Sequence, residues 1–128
     1  MYRFQIKTLE LSVIRELGRS DADENIKNAF AYAYNHFTDE NYLYGIEHKL
    51  VIDTIYNNNF YKYKSTKALS QETHIDTKTL LTYRKSYLRL LAKQYLNLNE
   101  PTALDLTMLY NALEKLAESR GETCRRTE

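Results

Sequence analysis

Apolar residues recur every three or four positions along most of this chain, and short polar breaks divide the pattern into six segments. This spacing places apolar side chains on one face of a helix, so it predicts six helices. The first covers residues 3–17 and is ended by Gly18. Its first residues also alternate as in a strand, but the helical spacing persists further and favours the helix. The apolar face consists of Ile6, Leu9, Val13 and Leu17.

The second and third segments predict two helices that differ in burial. Ser20 or Asp21 is placed to cap the second helix, which runs to about Phe37. The third covers roughly residues 40–57 and carries apolar residues on more than one face, as expected of a central, buried helix. Its predicted core positions are Leu43, Ile46, Leu50 and Val51.

The last segment predicts a helix over residues 101–119, with Pro101 in its first turn. Two interpretations of its leucine-lined face stay open. The helix either folds back and completes the core of its own chain, or pairs with a second copy. Deleting residues 99–128 unfolds the chain in the first case and leaves a folded domain in the second. The leucines of this face are Leu106, Leu109, Leu113 and Leu116.

The composition fits an all-α protein. The 128 residues include only three Gly and one Pro, and they are enough for one domain with its own core. We divide the chain into an N-terminal helical region (1–61), a helix-turn-helix module (62–97) and a C-terminal helix with a tail (98–128). No apolar run approaches the ~20 residues that span a membrane, and a single cysteine, Cys124, suits a reducing cytoplasm.

Tyrosine is unusually abundant, with twelve residues and no Trp. The interpretation we favour is that the rings fill the core while their hydroxyls reach water or a polar partner. The alternative, stacking on single-stranded bases, is typical of sheets, and no sheet is predicted here.

The junction between the fourth and fifth segments carries specific capping signals. Ser65 is placed to cap a short helix, Thr66–Thr73. Asp76 is placed to cap the next helix, where its charge also suits the positive end of the helix dipole. Two helices separated by three residues are the pattern of a helix-turn-helix.

The turn between these helices has its own signals. Leu69 and Ile75 are the apolar residues expected to be buried on either side of it, and Ser70 is small where the helices cross. His74 stands where such turns commonly have Gly, so it is predicted to adopt a positive φ at some cost.

The fifth segment divides into two faces. At about 100° per residue, five basic or hydroxyl side chains fall within a sector of about 80°, and five apolar side chains lie opposite. A recognition helix needs this division, because one face packs on its own domain and the other enters the major groove. The polar face is Lys78, Thr82, Lys85, Arg89 and Lys93, and the apolar face is Leu80, Tyr83, Tyr87, Leu90 and Leu91.

Positive charge is concentrated in the same part of the chain. Residues 62–96 hold eight Lys or Arg and two acids, which gives +6, whereas the remainder holds ten basic and fifteen acidic residues, which gives −5. A local positive charge suits a polyanion such as nucleic acid. The alternative is an ordinary solvated helix face, since most Lys/Arg stripes are only that.

Together these features predict a DNA-binding surface. Side chains at the start of a recognition helix meet base edges, whereas those further along meet phosphates. The predicted base-edge residues are Thr77, Lys78, Leu81 and Thr82, the predicted phosphate contacts are Lys85 and Arg89, and Lys67 and His74 complete the set.

The residues around the turn resemble a known family. Residues 71–79, followed by residues 89–92, resemble the C-terminal helix-turn-helix of phage late-gene transcriptional activators of the RinA/ArpU type. The likeness covers roughly residues 50–96, and the His-Ile pair and the acidic cap carry most of it. In that family the module is similar to region four of sigma factors, and the proteins switch on packaging and lysis genes. The resemblance implies double-stranded DNA and bacterial RNA polymerase as partners. The chain departs from the family in adding a further helix after the motif.

Two alternatives of other classes stay open. One is a small terminase-like DNA-packaging protein that assembles into a ring, and the other is a helix-turn-helix protein that acts as an antirepressor or an inhibitor of host defence. A regulator is expected to act as a homodimer to which the leucine-lined helix 101–119 contributes, since two copies match two half-sites about one helical turn apart.

Catalytic and metal-binding patterns are lacking in the sequence. The three histidines stand far apart without Cys partners, no phosphate-cradling glycine motif occurs, and the paired acids fall at helix starts. We therefore expect neither an enzyme nor a cofactor.

Overall fold

Six helices make up the described part of this computed structural model, which comprises residues 6–39, 45–56, 66–100 and 102–120. No strand occurs in these ranges, so the all-α prediction is confirmed. None of the described helices has the length and apolarity that crossing a membrane requires. The helices are α1 (Ile6–Leu17), α2 (Glu24–Thr38), α3 (Gly45–Tyr56), α4 (Thr66–Thr73), α5 (Thr77–Leu96) and α6 (Asp105–Ser119).

The longest helix, α5, contributes to every apolar cluster of the core. Its C-terminal half packs with α1, α2 and α6 through Leu88, Leu91 and Ala92. Its N-terminal half packs with α1, α3 and α4 through Leu80 and Tyr83, and Tyr87 joins α2 and α3. The side chains on one side of α5 are therefore held by all the other helices.

The leucine-lined face of α6 lies in the core of its own chain. Leu109 and Leu113 are buried against Leu9 of α1 and Leu88 of α5. Of the two interpretations of this helix, the structure shows the one in which it folds back. The helix begins at Asp105 rather than at residue 101, because the Thr102 side chain first accepts a hydrogen bond from the Leu104 N–H.

Ion pairs also hold the C-terminal end of α6 to α1. Arg15 lies 3.1 Å from the Glu114 carboxylate, and Arg120 donates to both oxygens of Glu16. Burial would raise the pKa of Glu16. Hydrogen bonds from Arg120 and from the Asp23 N–H outweigh that effect, and they lower the pKa below its usual value. Glu16 is therefore ionised and paired at neutral pH.

The α2 cap differs from the prediction. Asp23, rather than Ser20 or Asp21, caps this helix by accepting from the Ile26 N–H at 3.2 Å. The Asp21 carboxylate is instead bound by Arg19 at 2.9 Å.

The prediction of the core face of α3 was partly wrong. Val51 is buried, but Ile46 and Leu50 are exposed, and Leu43 lies outside the described residues. The helix begins at Gly45, where an added Cβ would lie 2.7 Å from the Asp39 carbonyl oxygen, so glycine permits this close approach.

Candidate nucleic-acid interface

The turn between α4 and α5 has the conformation that the sequence predicted. His74 adopts φ 60°, and its N–H donates to the Ser70 carbonyl at 2.9 Å, so it terminates α4 in the left-handed conformation. The Ser70 hydroxyl donates to the Ile75 carbonyl at 2.6 Å across the turn. These two bonds fix the direction in which the chain leaves α4.

Asp76 caps α5 as predicted. Its side chain accepts from the Lys78 N–H at 3.1 Å and from the Thr79 N–H at 3.4 Å. A cap of this kind stabilises a helix by about 1 kcal/mol. The cap predicted for α4, Ser65, lies outside the described residues.

The apolar residues beside the turn anchor both helices. Leu69 of α4, Ile75 of the turn and Leu80 of α5 are all buried in one cluster with Val51 and Ile55 of α3. The turn is thus packed on α3, and its geometry is set by core contacts as well as by capping.

The opposite side of α5 is exposed along its length. Every predicted DNA-binding residue lies at the surface of α4, of α5 or of the turn between them. The exposed residues are Lys67, His74, Thr77, Lys78, Leu81, Thr82, Lys85 and Arg89, and Lys93, further along α5, is exposed as well.

The cations on this surface differ from other cations of the protein in whether they form ion pairs. Among the described residues, Lys67, Lys78, Lys85, Arg89 and Lys93 make no ion pair with a carboxylate, and we call these five the basic row. By contrast, six other described cations each have a carboxylate partner within 3.1 Å: Arg15, Arg19, Lys27, Lys49, Arg84 and Arg120. Cations that are not neutralised by the protein's own acids are available for phosphates.

Not every charge in the sequence total for residues 62–96 can be assigned to the described surface. The +6 over residues 62–96 includes Arg84, which is buried, and two lysines at 62 and 64 that lie outside the described residues. The exposed charges between residues 66 and 96 are the five cations of the basic row and two acids, Glu72 and Asp76, which gives +3. The described part of this surface is therefore positive.

The first turns of α5 offer groups suited to base edges. Lys78 projects an amine, and Leu81, 37% exposed, offers the apolar contact that a thymine methyl prefers. The Thr82 hydroxyl donates to the Lys78 carbonyl at 3.1 Å. Its hydrogen is therefore engaged within the helix, and its oxygen is left as an acceptor for a base amino group.

The buried side of α5 contains an ion pair that the sequence analysis missed. The Arg84 Nε donates to Glu10 of α1 at 2.9 Å, and a second guanidinium nitrogen donates to the other carboxylate oxygen. The two side chains are 3% and 0% exposed. A bidentate pair at this depth joins α5 to α1 through two directed hydrogen bonds.

Two tyrosines hold the same side of α5 to other helices. The Tyr83 hydroxyl donates to Glu47 of α3, and the Tyr87 hydroxyl donates to the Phe30 carbonyl of α2 at 3.2 Å. Burial raises the pKa of Tyr87 well above its usual value, so its hydroxyl stays protonated. These tyrosines fill the core with their hydroxyls partnered, as the favoured interpretation predicted.

Within the described residues, no group of His, Cys, Asp or Glu side chains is arranged to hold a metal ion. No family model, curated protein or solved structure matches the chain. A nucleic-acid interface is therefore inferred from the geometry and the charge of this surface alone.

Proposed function

We propose that this protein is a sequence-specific, DNA-binding transcription regulator that uses α4 and α5 as a helix-turn-helix. The observation that carries the proposal is the basic row, four of whose five cations lie on the exposed side of α5, a helix that is packed on the core through its other side. Rigid presentation of a helix face is what a recognition helix requires, because its side chains must meet base edges in register.

The role that we propose is activation of late genes of a phage or prophage in the cytoplasm of a bacterial host. The residues around His74 and Asp76 that resemble the RinA/ArpU type support this role, and their turn has the capped, left-handed conformation that such a module needs. The protein acts by binding: α5 enters the major groove near a promoter while another surface contacts RNA polymerase. Two copies on the DNA supply the selectivity that one helix lacks.

Sequencing of genomic fragments captured by the purified protein tests the proposal. We expect enrichment of a short site close to a promoter. Enrichment inside packaging genes, together with a ring of subunits in light scattering, would favour the terminase-like alternative. Absence of any enrichment would contradict DNA binding and favour a protein-binding role.

Lys85→Ala and Arg89→Ala are expected to weaken binding to all DNA sequences alike. Each lost phosphate contact should reduce the slope of log K against log salt by about one unit, because fewer counterions are released. Salt titrations of each variant measure this slope. Lys115→Ala is the matched control, since Lys115 is also exposed and makes no ion pair among the described residues, but it lies on α6. Unchanged slopes for both variants would show that this part of α5 does not contact DNA phosphates.

Lys78→Ala and Thr82→Val are expected to reduce sequence preference. Each should cost about 1–3 kcal/mol on the specific site and less on random DNA, because base contacts carry the discrimination. Thr54→Val is the control, since the Thr54 hydroxyl makes the same bond to a carbonyl four residues earlier, at 2.7 Å, but on α3. Equal losses on both DNAs would show that Lys78 and Thr82 only position the protein.

A further inference from the structure

A cleft lies between α2 and the C-terminal end of α5. Its volume is about 360 Å³, which is at the small end of the range for small-molecule sites. Its α2 wall follows one helix face at spacings of three and four residues, and its other wall comes from the last turn of α5. The lining residues are Asn25, Asn28, Ala29, Tyr32, Gln94, Tyr95 and Asn97.

The lining is unusual in having four carboxamides and no charged side chain. In the described part of the chain, none of these four side chains, Asn25, Asn28, Gln94 and Asn97, takes part in a hydrogen bond. Asn97 caps α5 through its backbone N–H, which donates to the Lys93 carbonyl, so the cap does not use its side chain. Each carboxamide offers a donor and an acceptor on a planar group, which suits a ligand with alternating donors and acceptors along one edge.

Two tyrosines supply aromatic surface beside the carboxamides. Tyr32 is 51% exposed, so a face of its ring is available for stacking. Burial raises the pKa of Tyr95, and the Asp23 and Glu16 carboxylates raise it further. The Tyr95 hydroxyl is therefore a neutral donor at physiological pH.

We propose that this cleft binds an uncharged, planar, hydrogen-bonding ligand of the nucleobase or nucleoside class, with adenine as the base that fits best. Carboxamides of Asn and Gln pair with the adenine edge through one donor and one acceptor, and an aromatic ring stacks on its face. The site is separate from the proposed DNA interface. Gln94 and Tyr95 lie more than about 90° around α5 from the centre of the basic row.

Side-chain amide signals of Asn and Gln in ¹⁵N-labelled protein provide a direct measurement. We expect adenosine to shift these signals for Asn28 and Gln94 in a saturable manner, while glucose leaves them unchanged. Adenosine monophosphate should bind no more tightly than adenosine, because no cationic side chain lines the cleft to hold its phosphate. No shift with adenosine, or equal shifts with glucose, would overturn the proposal.

Variants locate the site. Asn28→Ala and Gln94→Ala should each weaken adenosine binding about tenfold, which is the typical effect of losing one paired edge contact. Asn111→Ala, which removes an exposed asparagine from α6, should leave it unchanged. Backbone amide spectra check that each variant is folded. Full affinity in both cleft variants would show that adenosine binds elsewhere and would refute the assignment.

Discussion

Deleting residues 99–128, and with them α6, is expected to abolish the cooperative folding of the chain. The deletion removes Leu109, Leu113 and Ala117 from the core and exposes the side chains of α1 and α5 that they cover. Burial of the two leucines alone is worth roughly 3–6 kcal/mol, and a whole domain is stable by only about 5–15 kcal/mol. The deletion also leaves Glu16 without the Arg120 guanidinium. We therefore expect a largely unfolded fragment.

Circular dichroism and urea titration measure this outcome. A shorter deletion of residues 121–128 keeps every described residue and should retain the transition of the full chain. Within α6, Leu109→Ala should cost about 3–5 kcal/mol, whereas Leu104→Ala, at an exposed position, should cost little. A 99–128 deletion that still unfolds cooperatively at nearly the same urea concentration would mean that α6 is dispensable to the core.

The burial of α6 also limits which surfaces two copies of the chain can use to form a dimer. Because the leucine face of α6 is covered within its own chain, a homodimer on DNA must use another surface. Light scattering of the intact protein, alone and with its captured site, gives the number of copies without disturbing the core.

Features set by local chemistry could be predicted from the sequence. The bounds of α4, the Asp76 cap and the positive φ of His74 all agree with the structure. Each depends on residues within a few positions of one another, because capping and left-handed turns are made by neighbouring backbone groups. The predicted DNA-binding side chains are exposed for a related reason, since helical periodicity alone separates them from the apolar side.

Features set by distant contacts could not be predicted in the same way. Helix α3 has apolar residues on several sides, so periodicity could not show that Ile46 and Leu50 face outward. The α2 cap was predicted at Ser20 or Asp21, whereas Asp23 is favoured partly because its N–H also bonds to Glu16 of the preceding helix. The cleft likewise joins residues about 70 positions apart in the sequence.

Arg84 lies between these two cases. Its position on the apolar side of α5 was visible from the same periodicity that defined the basic row, and a charge among apolar residues indicates a buried pair. Its partner, Glu10, is 74 residues away, and nothing in the sequence distinguishes it from Glu16, the other acid of α1.

Glu10→Ala is expected to destabilise the protein by about 3–5 kcal/mol, because it removes the carboxylate that compensates the charge of a deeply buried guanidinium. Urea unfolding measures the loss. Glu24→Ala is the control, since it breaks an exposed ion pair with Lys27 and should cost less than about 1 kcal/mol.

Replacing both partners, Glu10→Leu with Arg84→Met, should recover most of the stability, because apolar side chains of similar size need no compensation. If the pair also sets the rotation of α5, this double variant should be stable yet discriminate less between specific and random DNA. A Glu10→Ala protein as stable as the Glu24→Ala control would contradict the buried pair itself.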